Sequence, residues 1–201
     1  MKRLLSSVII LGLLALAPGC NSKTRGNRGI PALGAAESDN PIAVIMNHYA
    51  ARTFTNGAVT QTELDQILAA GAQAPSASNR QPWHFTVVQN QNLTNQMIPN
   101  INDGNILIII SAFDGQNNGQ VILDCALATQ SIYLAAQALG LGSRIYTGPI
   151  NTINQRFKTD LGLPSGYSAV TLVRVGRLPP GIDAVSAASS RKPLDSIVTY
   201  K

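Results

Sequence analysis

Between Ala74 and Phe85 the chain reads Ala-Pro-Ser-Ala-Ser-Asn-Arg-Gln-Pro-Trp-His-Phe. The segment sets two hydroxyls, two amides and a guanidinium between prolines at 75 and 82, with the chain's single Trp directly after the second. Ser76, Ser78, Asn79 and Gln81 supply donors and acceptors, while Trp83 supplies an apolar wall. A planar ligand with a polar edge needs both kinds of surface. Two further points carry positive charge. Arg52-Thr53-Phe54 sets a guanidinium where a phosphate could be clamped, and Arg191-Lys192 adds charge near the C-terminus.

Other chemistries find little support. Gly140-Leu141-Gly142 begins a Gly-x-Gly, but the third glycine of a dinucleotide-binding turn would fall on Ile145. His48 and His84 are the only histidines and read as surface or hydrogen-bonding residues, so no metal site is expected. There is no Gly-x-Ser-x-Gly nucleophile turn and no phosphate loop ending in Gly-Lys-Ser/Thr.

The elements that must position these residues follow from periodicity. Pro41 suits a first helical turn, and Ile42, Ile45, Met46 and Tyr49 share one helical face, so a first helix is expected to end near Arg52-Thr53-Phe54. Thr60-Gln61-Thr62-Glu63 is a capping box ahead of Leu64, Ile67, Leu68 and Gly71. Phe85–Val88, Arg144–Tyr146 and Ala169–Val175 read as strands, and Ile106–Ser111 as a strand buried on both faces. A short helix is expected within 89–105, and Pro149–Leu161 reads as helical. The longest helix, Val121–Leu139, carries Ile122, Cys125, Thr129, Ile132 and Ala136 on one face and mostly apolar residues on the other. A helix apolar all round is central or shared with a second subunit. The tail ending in Leu194, Ile197 and Val198 also needs a partner surface. The fold class expected is α+β, a sheet packed with helices around a long central helix.

Of the 201 residues, 45% are hydrophobic and 12% charged, which indicates a compact core. The net charge of +5 falls to +2 from residue 41 onward, where 10 basic residues face 8 acidic ones. That is too weak and too scattered a charge for nucleic acid. Residues 1–20 read as a leader: Met1-Lys2-Arg3, an apolar run from Leu4 to Leu16, then Ala17-Pro18-Gly19-Cys20. Ending on Cys20, it resembles a bacterial lipoprotein signal, although Ala17 replaces the usual larger aliphatic residue; a simply cleaved secretory signal is the alternative. Residues 21–40 read as a flexible tether, and 41–201 as one domain. The expectation is an exported, cell-envelope protein anchored to a membrane by lipid at Cys20. Cys125 would then have no internal disulfide partner.

Arg52-Thr53-Phe54, the 74–83 segment, Ala126–Arg144 (ALATQSIYLAAQALGLGSR), Ala169–Pro179 (AVTLVRVGRLP) and Arg191–Val198 together resemble the FMN-dependent nitroreductase family, in order over nearly all of 41–201. The resemblance implies a nitroreductase-like sandwich with a mixed, mainly antiparallel sheet. It implies an intertwined homodimer with FMN at the subunit interface. Carried onto this sequence, Arg52 would contact the FMN phosphate, with Arg191 returning to it. Pro75, Ser76 and Asn79 would line the isoalloxazine ring, beside Gln81. Gly142 and Ser143 would approach the ring from the partner subunit. The implied reaction is ping-pong hydride transfer through flavin N5, from NAD(P)H to a small acceptor such as a nitroaromatic or quinone. No catalytic side chain is demanded, because the cofactor carries the chemistry.

The chain departs from that family's phosphate motif, Arg-Arg-Ser-x-Arg-x-Phe: Tyr49 stands for an Arg and Ala50 for the Ser, and Ser189 replaces a C-terminal Lys. Arg144, directly after the Leu-Gly-Leu-Gly-Ser turn, is a candidate substitute cation, as are Arg80 and Lys192. The segment 89–106 is too short for the lid many members carry, and NAD(P)H is not ordinarily available beyond the cytoplasmic membrane. A non-enzymatic lipoprotein binding a ligand or partner, and a flavoenzyme of another reaction class, therefore stay open as alternatives. Made with its leader in a bacterial host, the protein is expected to incorporate labelled palmitate and to enter the membrane fraction. Cys20→Ser should abolish the label; unlabelled wild type in the soluble exported fraction would support simple cleavage.

Overall fold

The computed structural model describes residues 41–114, 119–182 and 189–201. The leader, Cys20 and the tether lie outside the described residues.

Four strands form one antiparallel sheet: β1 (Trp83–Val88), β2 (Ile106–Phe113), β3 (Gly142–Tyr146) and β4 (Tyr167–Gly176), in the order β1-β2-β4-β3. On one face lie α2 (Gln61–Ala72) and the long α4 (Gly119–Ala138). On the other lie α3 (Gln91–Met97) and the helical turns from Ile150 to Phe157. The sheet is therefore the middle of three layers. Ile106, Ile108 and Ile110 of β2 pack toward α2 and α4, and Leu107 and Ile109 pack the other way. Covering both faces is what the unbroken apolar run requires. Each fully buried isoleucine contributes about 2 kcal/mol relative to exposure.

Local signals explain most element ends. Thr60 accepts the Glu63 N–H, and the Glu63 carboxylate accepts the Thr60 N–H at 2.8 Å, which completes the capping box. The same carboxylate takes a two-pronged ion pair from Arg177, at 2.7 and 2.8 Å, which holds it below the usual carboxylate range. This ties the start of α2 to the chain leaving β4.

Two expectations change. The first helix, α1, covers only Pro41–Asn47, and residues 48–54 are not helical. Ile42, Ile45 and Met46 of α1 are exposed while Tyr49 is buried, so the four do not form one packed face. The reason is tertiary: Ala51 N–H donates to Ser143 O at 3.0 Å and Thr55 N–H to Arg177 O at 2.9 Å, which draws 51–55 along β3 and the end of β4. In α4, Ile122 is 48% exposed and does not join Cys125, Thr129, Ile132 and Ala136 in the core. Val121 takes that place, and Ile122, Leu123 and Leu127 form an outward apolar stripe.

Arg174 on β4 is buried without a carboxylate partner among the described residues. Asn105 Oδ1 accepts from its Nε and Nη2 at 3.1 and 2.8 Å, Asn102 Oδ1 accepts from Nη2 at 2.9 Å, and the guanidinium lies 3.9 Å over the Phe54 ring. A cation buried this way needs every such contact. Gly176 makes room for it, since a Cβ there would stand 2.3 Å from the Asn105 side chain. Gly176→Ala should displace Asn105, leave Arg174 underbonded, and lower unfolding free energy by about 3 kcal/mol in chemical denaturation.

Candidate active site

Ser76–Gln81 forms a tight turn between α2 and β1. Ser78, Asn79 and Gln81 take φ of 53°, 54° and 47°, a left-handed backbone that side-chain-bearing residues rarely adopt. Such strain persists only where the surroundings over-determine it, and it concentrates at binding sites. Here Gln81 N–H donates to Ser76 Oγ at 2.9 Å and Asn79 N–H to Ser76 O at 3.0 Å. Gln81 Nε2 donates to Asn79 Oδ1 at 3.0 Å. From outside the turn, Asp124 Oδ1 accepts the Ala77 N–H at 3.1 Å. Pro75, Asn79 and Gln81 remain exposed, Ser76 is half-buried, and Trp83 and Phe85 stack in parallel 6.4 Å apart beside them. The turn thus presents amide edges next to an aromatic platform.

A second cluster joins the two ends of the described chain. Arg52 Nη2 donates to Ser189 Oγ at 3.3 Å, and Arg191 Nη1 donates to Ser189 O at 2.9 Å. Both guanidinium groups are exposed, and neither has a carboxylate partner among the described residues. His48 is adjacent through Tyr133: their rings meet edge to face at 5.5 Å, and His48 Nδ1 bonds the Ile45 carbonyl. A carbonyl only accepts, so Nδ1 is the donor in that bond. Burial raises the Tyr133 phenol, opposed by its Gln137 hydrogen bond and the Arg191 charge. Burial and then Tyr133 raise that of Tyr49. Both phenols stay protonated at neutral pH.

Gln137 of α4 fixes this cluster from below. Its Oε1 accepts the Tyr49 N–H at 3.1 Å, and its Nε2 donates to Tyr49 O at 2.8 Å and Ser143 Oγ at 2.9 Å. A cleft of about 210 Å³ opens alongside, lined by His48, Tyr49, Gln137, Leu178 and Ile182 among others.

The family model for the nitroreductase family matches residues 45–118 and 99–177. The chain belongs to that family. A proposed NADH dehydrogenase/NAD(P)H nitroreductase of Archaeoglobus fulgidus is 27% identical over 146 residues, 67% of this chain and 83% of that protein. A second of that description, from Methanothermobacter thermautotrophicus, is 34% identical over 106 residues, with about half of each chain matched, 48% and 54%. Among solved structures, a proposed Desulfovibrio desulfuricans nitroreductase in complex with FMN is 25% identical, with TM-score 0.68, covering 80% of this chain and 96% of that one. A nitroreductase with bound FMN from Desulfitobacterium hafniense shares the fold at 24% identity and TM-score 0.68, covering 80% and 97%.

Set on this nitroreductase fold, the residues singled out in the sequence fall into three groups. Arg52 and Arg191 come together around Ser189, the position where the family's Lys is lost. Pro75, Ser76, Asn79 and Gln81 form one strained, outward-facing turn. Gly142, Ser143 and Arg144 follow on β3: Ser143 joins the Gln137 network behind the second group, its O accepting the Ala51 N–H at 3.0 Å, while Arg144 stands apart. Ser143 is fully buried, donating to Tyr133 O at 2.8 Å. A Cβ on Gly142 would meet Leu178 at 2.5 Å and Phe54 at 3.0 Å, so this glycine serves close packing within its own subunit. Arg144 lies 5.1 Å over the Tyr146 ring and opposite Arg174 in the β3–β4 register. It makes no hydrogen bond to Arg52, Ser189 or Arg191 among the described residues. Arg80 turns back on its own loop, with Nε donating to Ala77 O.

Sequence reasoning missed Asp124, Gln137 and Tyr133. The signal for Asp124 was present, a lone acid inside the apolar run of α4. Cys125 is a buried free thiol, pushed up to about 11 by burial and then by the Asp124 charge, and so is unreactive. Ser76→Ala removes the acceptor for the Gln81 N–H. It should cost about 1 kcal/mol in unfolding measurements and speed amide exchange at Gln81.

Proposed function

We propose that the protein is an FMN-dependent oxidoreductase of nitroreductase type, and the observation that carries this reading is the meeting of Arg52 and Arg191 around Ser189. Two exposed guanidinium groups without acidic partners among the described residues, separated by 139 positions in sequence yet linked through one serine, form a cradle for a dianionic phosphate. The Asn79–Gln81 amides and the backbone of the strained turn suit the polar edge of an isoalloxazine ring. When bound, FMN supplies two-electron hydride chemistry at N5, taking hydride from NAD(P)H or another donor and passing it to a nitroaromatic, quinone or similar acceptor in alternating steps.

The chain's own groups bind and orient. Arg52 and Arg191 neutralise the phosphate, and Ser189 spaces them, its Oγ accepting from Arg52 and its carbonyl from Arg191. Asn79 and Gln81, braced against each other at 3.0 Å, hold the ring's edge. No side chain is required to exchange a proton with substrate.

The cleft of about 210 Å³ beside Tyr49 and Gln137 lies below the usual ligand-pocket range of about 300–1,000 Å³ and is not lined by Arg52, Asn79, Gln81 or Arg191, which are exposed on this chain. A homodimer supplies the missing wall. The outward residues Ile42, Ile45 and Met46 of α1, Ile122, Leu123 and Leu127 of α4, and Leu194, Ile197 and Tyr200 of the tail are the surfaces such an assembly would cover. Anchored through Cys20, the dimer would work in the cell envelope with a small-molecule acceptor.

Purified protein mixed with FMN should retain flavin absorbance through gel filtration and bleach under anaerobic reduction. Arg52→Ala and Arg191→Ala should each weaken FMN about 10- to 100-fold while leaving riboflavin, which lacks the phosphate, unaffected. Protein that stays colourless in excess FMN would overturn the proposal and favour the non-enzymatic binding alternative.

A further inference from the structure

Asp124 is 1% exposed in the first half of α4. Its Oδ1 accepts from Ala77 N–H at 3.1 Å and Gln120 Nε2 at 3.5 Å, while Oδ2 is buried without a partner among the described residues. Burying a carboxylate with one oxygen unpaired opposes folding, and an apolar residue would pack α4 with less penalty. The compensating benefit lies in what Oδ1 holds. Ala77 opens the turn whose Ser78, Asn79 and Gln81 are left-handed. The other hydrogen bonds of residues 76–81 are made within the turn; among the described residues, Asp124 supplies the one that comes from another element.

We propose that Asp124 is a positioning residue: by holding the Ala77 N–H it fixes the left-handed turn from Ser78 to Gln81, before ligand arrives, in the form that meets the flavin ring. The inference rests on the FMN reading for its ligand and on the geometry of the turn for its mechanism. Preorganisation of this kind removes the ordering cost from binding. It also explains why so strained a backbone sits on a loop with few tertiary contacts.

Three full-length variants test it. Asp124→Ala removes the acceptor. Ala77→Pro removes the donor, and proline fits the first position of a helical turn behind extended Ser76 (φ −144°, ψ 155°). Asp124→Asn keeps an oxygen that can accept the Ala77 N–H. Amide exchange of flavin-free protein and FMN affinity by fluorescence are both read.

Asp124→Ala and Ala77→Pro should each speed exchange at 78–81 while β2 keeps its protection, and each should weaken FMN about 10- to 100-fold. The double variant should be no weaker than the worse single, because both remove the same bond. Asp124→Asn should restore turn protection and affinity. Wild-type exchange at 78–81 in Asp124→Ala would overturn the proposal. So would equal loss of protection in the turn and β2, which marks a merely structural role, or an Asn variant no better than Ala. Should wild-type protein fail to bind FMN, the flavin reading falls by itself, and exchange at 78–81 still decides whether Asp124 sets the turn.

Discussion

The burial of α4 against the sheet is the constraint on which the site depends. Val121, Cys125, Ala128, Ile132 and Ala136 lock its inner face into the core, so the helix has no freedom to rotate or slide. Its few polar side chains then become fixed points. Asp124 near one end reaches the 76–81 turn, and Gln137 near the other grips both backbone groups of Tyr49 together with Ser143. One rigid rod therefore registers the turn that presents amides and the segment that presents Arg52. The two halves of the site lie some 25 residues apart in sequence, yet both take their position from the same helix.

The cations follow a related logic. Arg174 and Arg177 are consumed by structure, the first by Asn102, Asn105 and Phe54 and the second by Glu63. These contacts pin the 51–58 segment to the end of β4, which is where Arg52 must project. Arg52 and Arg191 stay exposed and, among the described residues, meet at Ser189. The division between structural and available guanidinium groups is thus a matter of burial and of neighbouring acceptors, not of residue type. In the proposed reading, loss of two family cations from the motif around residue 49 and of the lysine at 189 leaves a smaller phosphate cradle of Arg52, Arg191 and the neutral Ser189.

Some of this was legible in the sequence for local reasons. The capping box at Thr60–Glu63, the doubly buried run Ile106–Ile110 and the apolar length of α4 are encoded in short-range patterns that tertiary context reinforces. The turn at 75–82 was recognisable from its composition, because prolines, hydroxyls and amides together fit neither a strand nor a core. The misreadings share a cause. The periodicity of Ile42, Ile45, Met46 and Tyr49 promised one helix, but backbone bonds to Ser143 and Arg177 recruit 51–55 to the sheet edge. Ile122 likewise shared a helical period with Cys125, yet packing turned Val121 inward in its place.

By itself, the sequence determined the α+β class, the strands, the long helix, the polar turn and the nitroreductase membership, since each is written in periodicity or in contiguous motifs. Tertiary structure alone decided which arginines are available, that Arg52 meets Arg191, and that a buried aspartate restrains the turn. Those outcomes depend on distances between residues 47 to 139 positions apart, and such distances exist only once the core has packed.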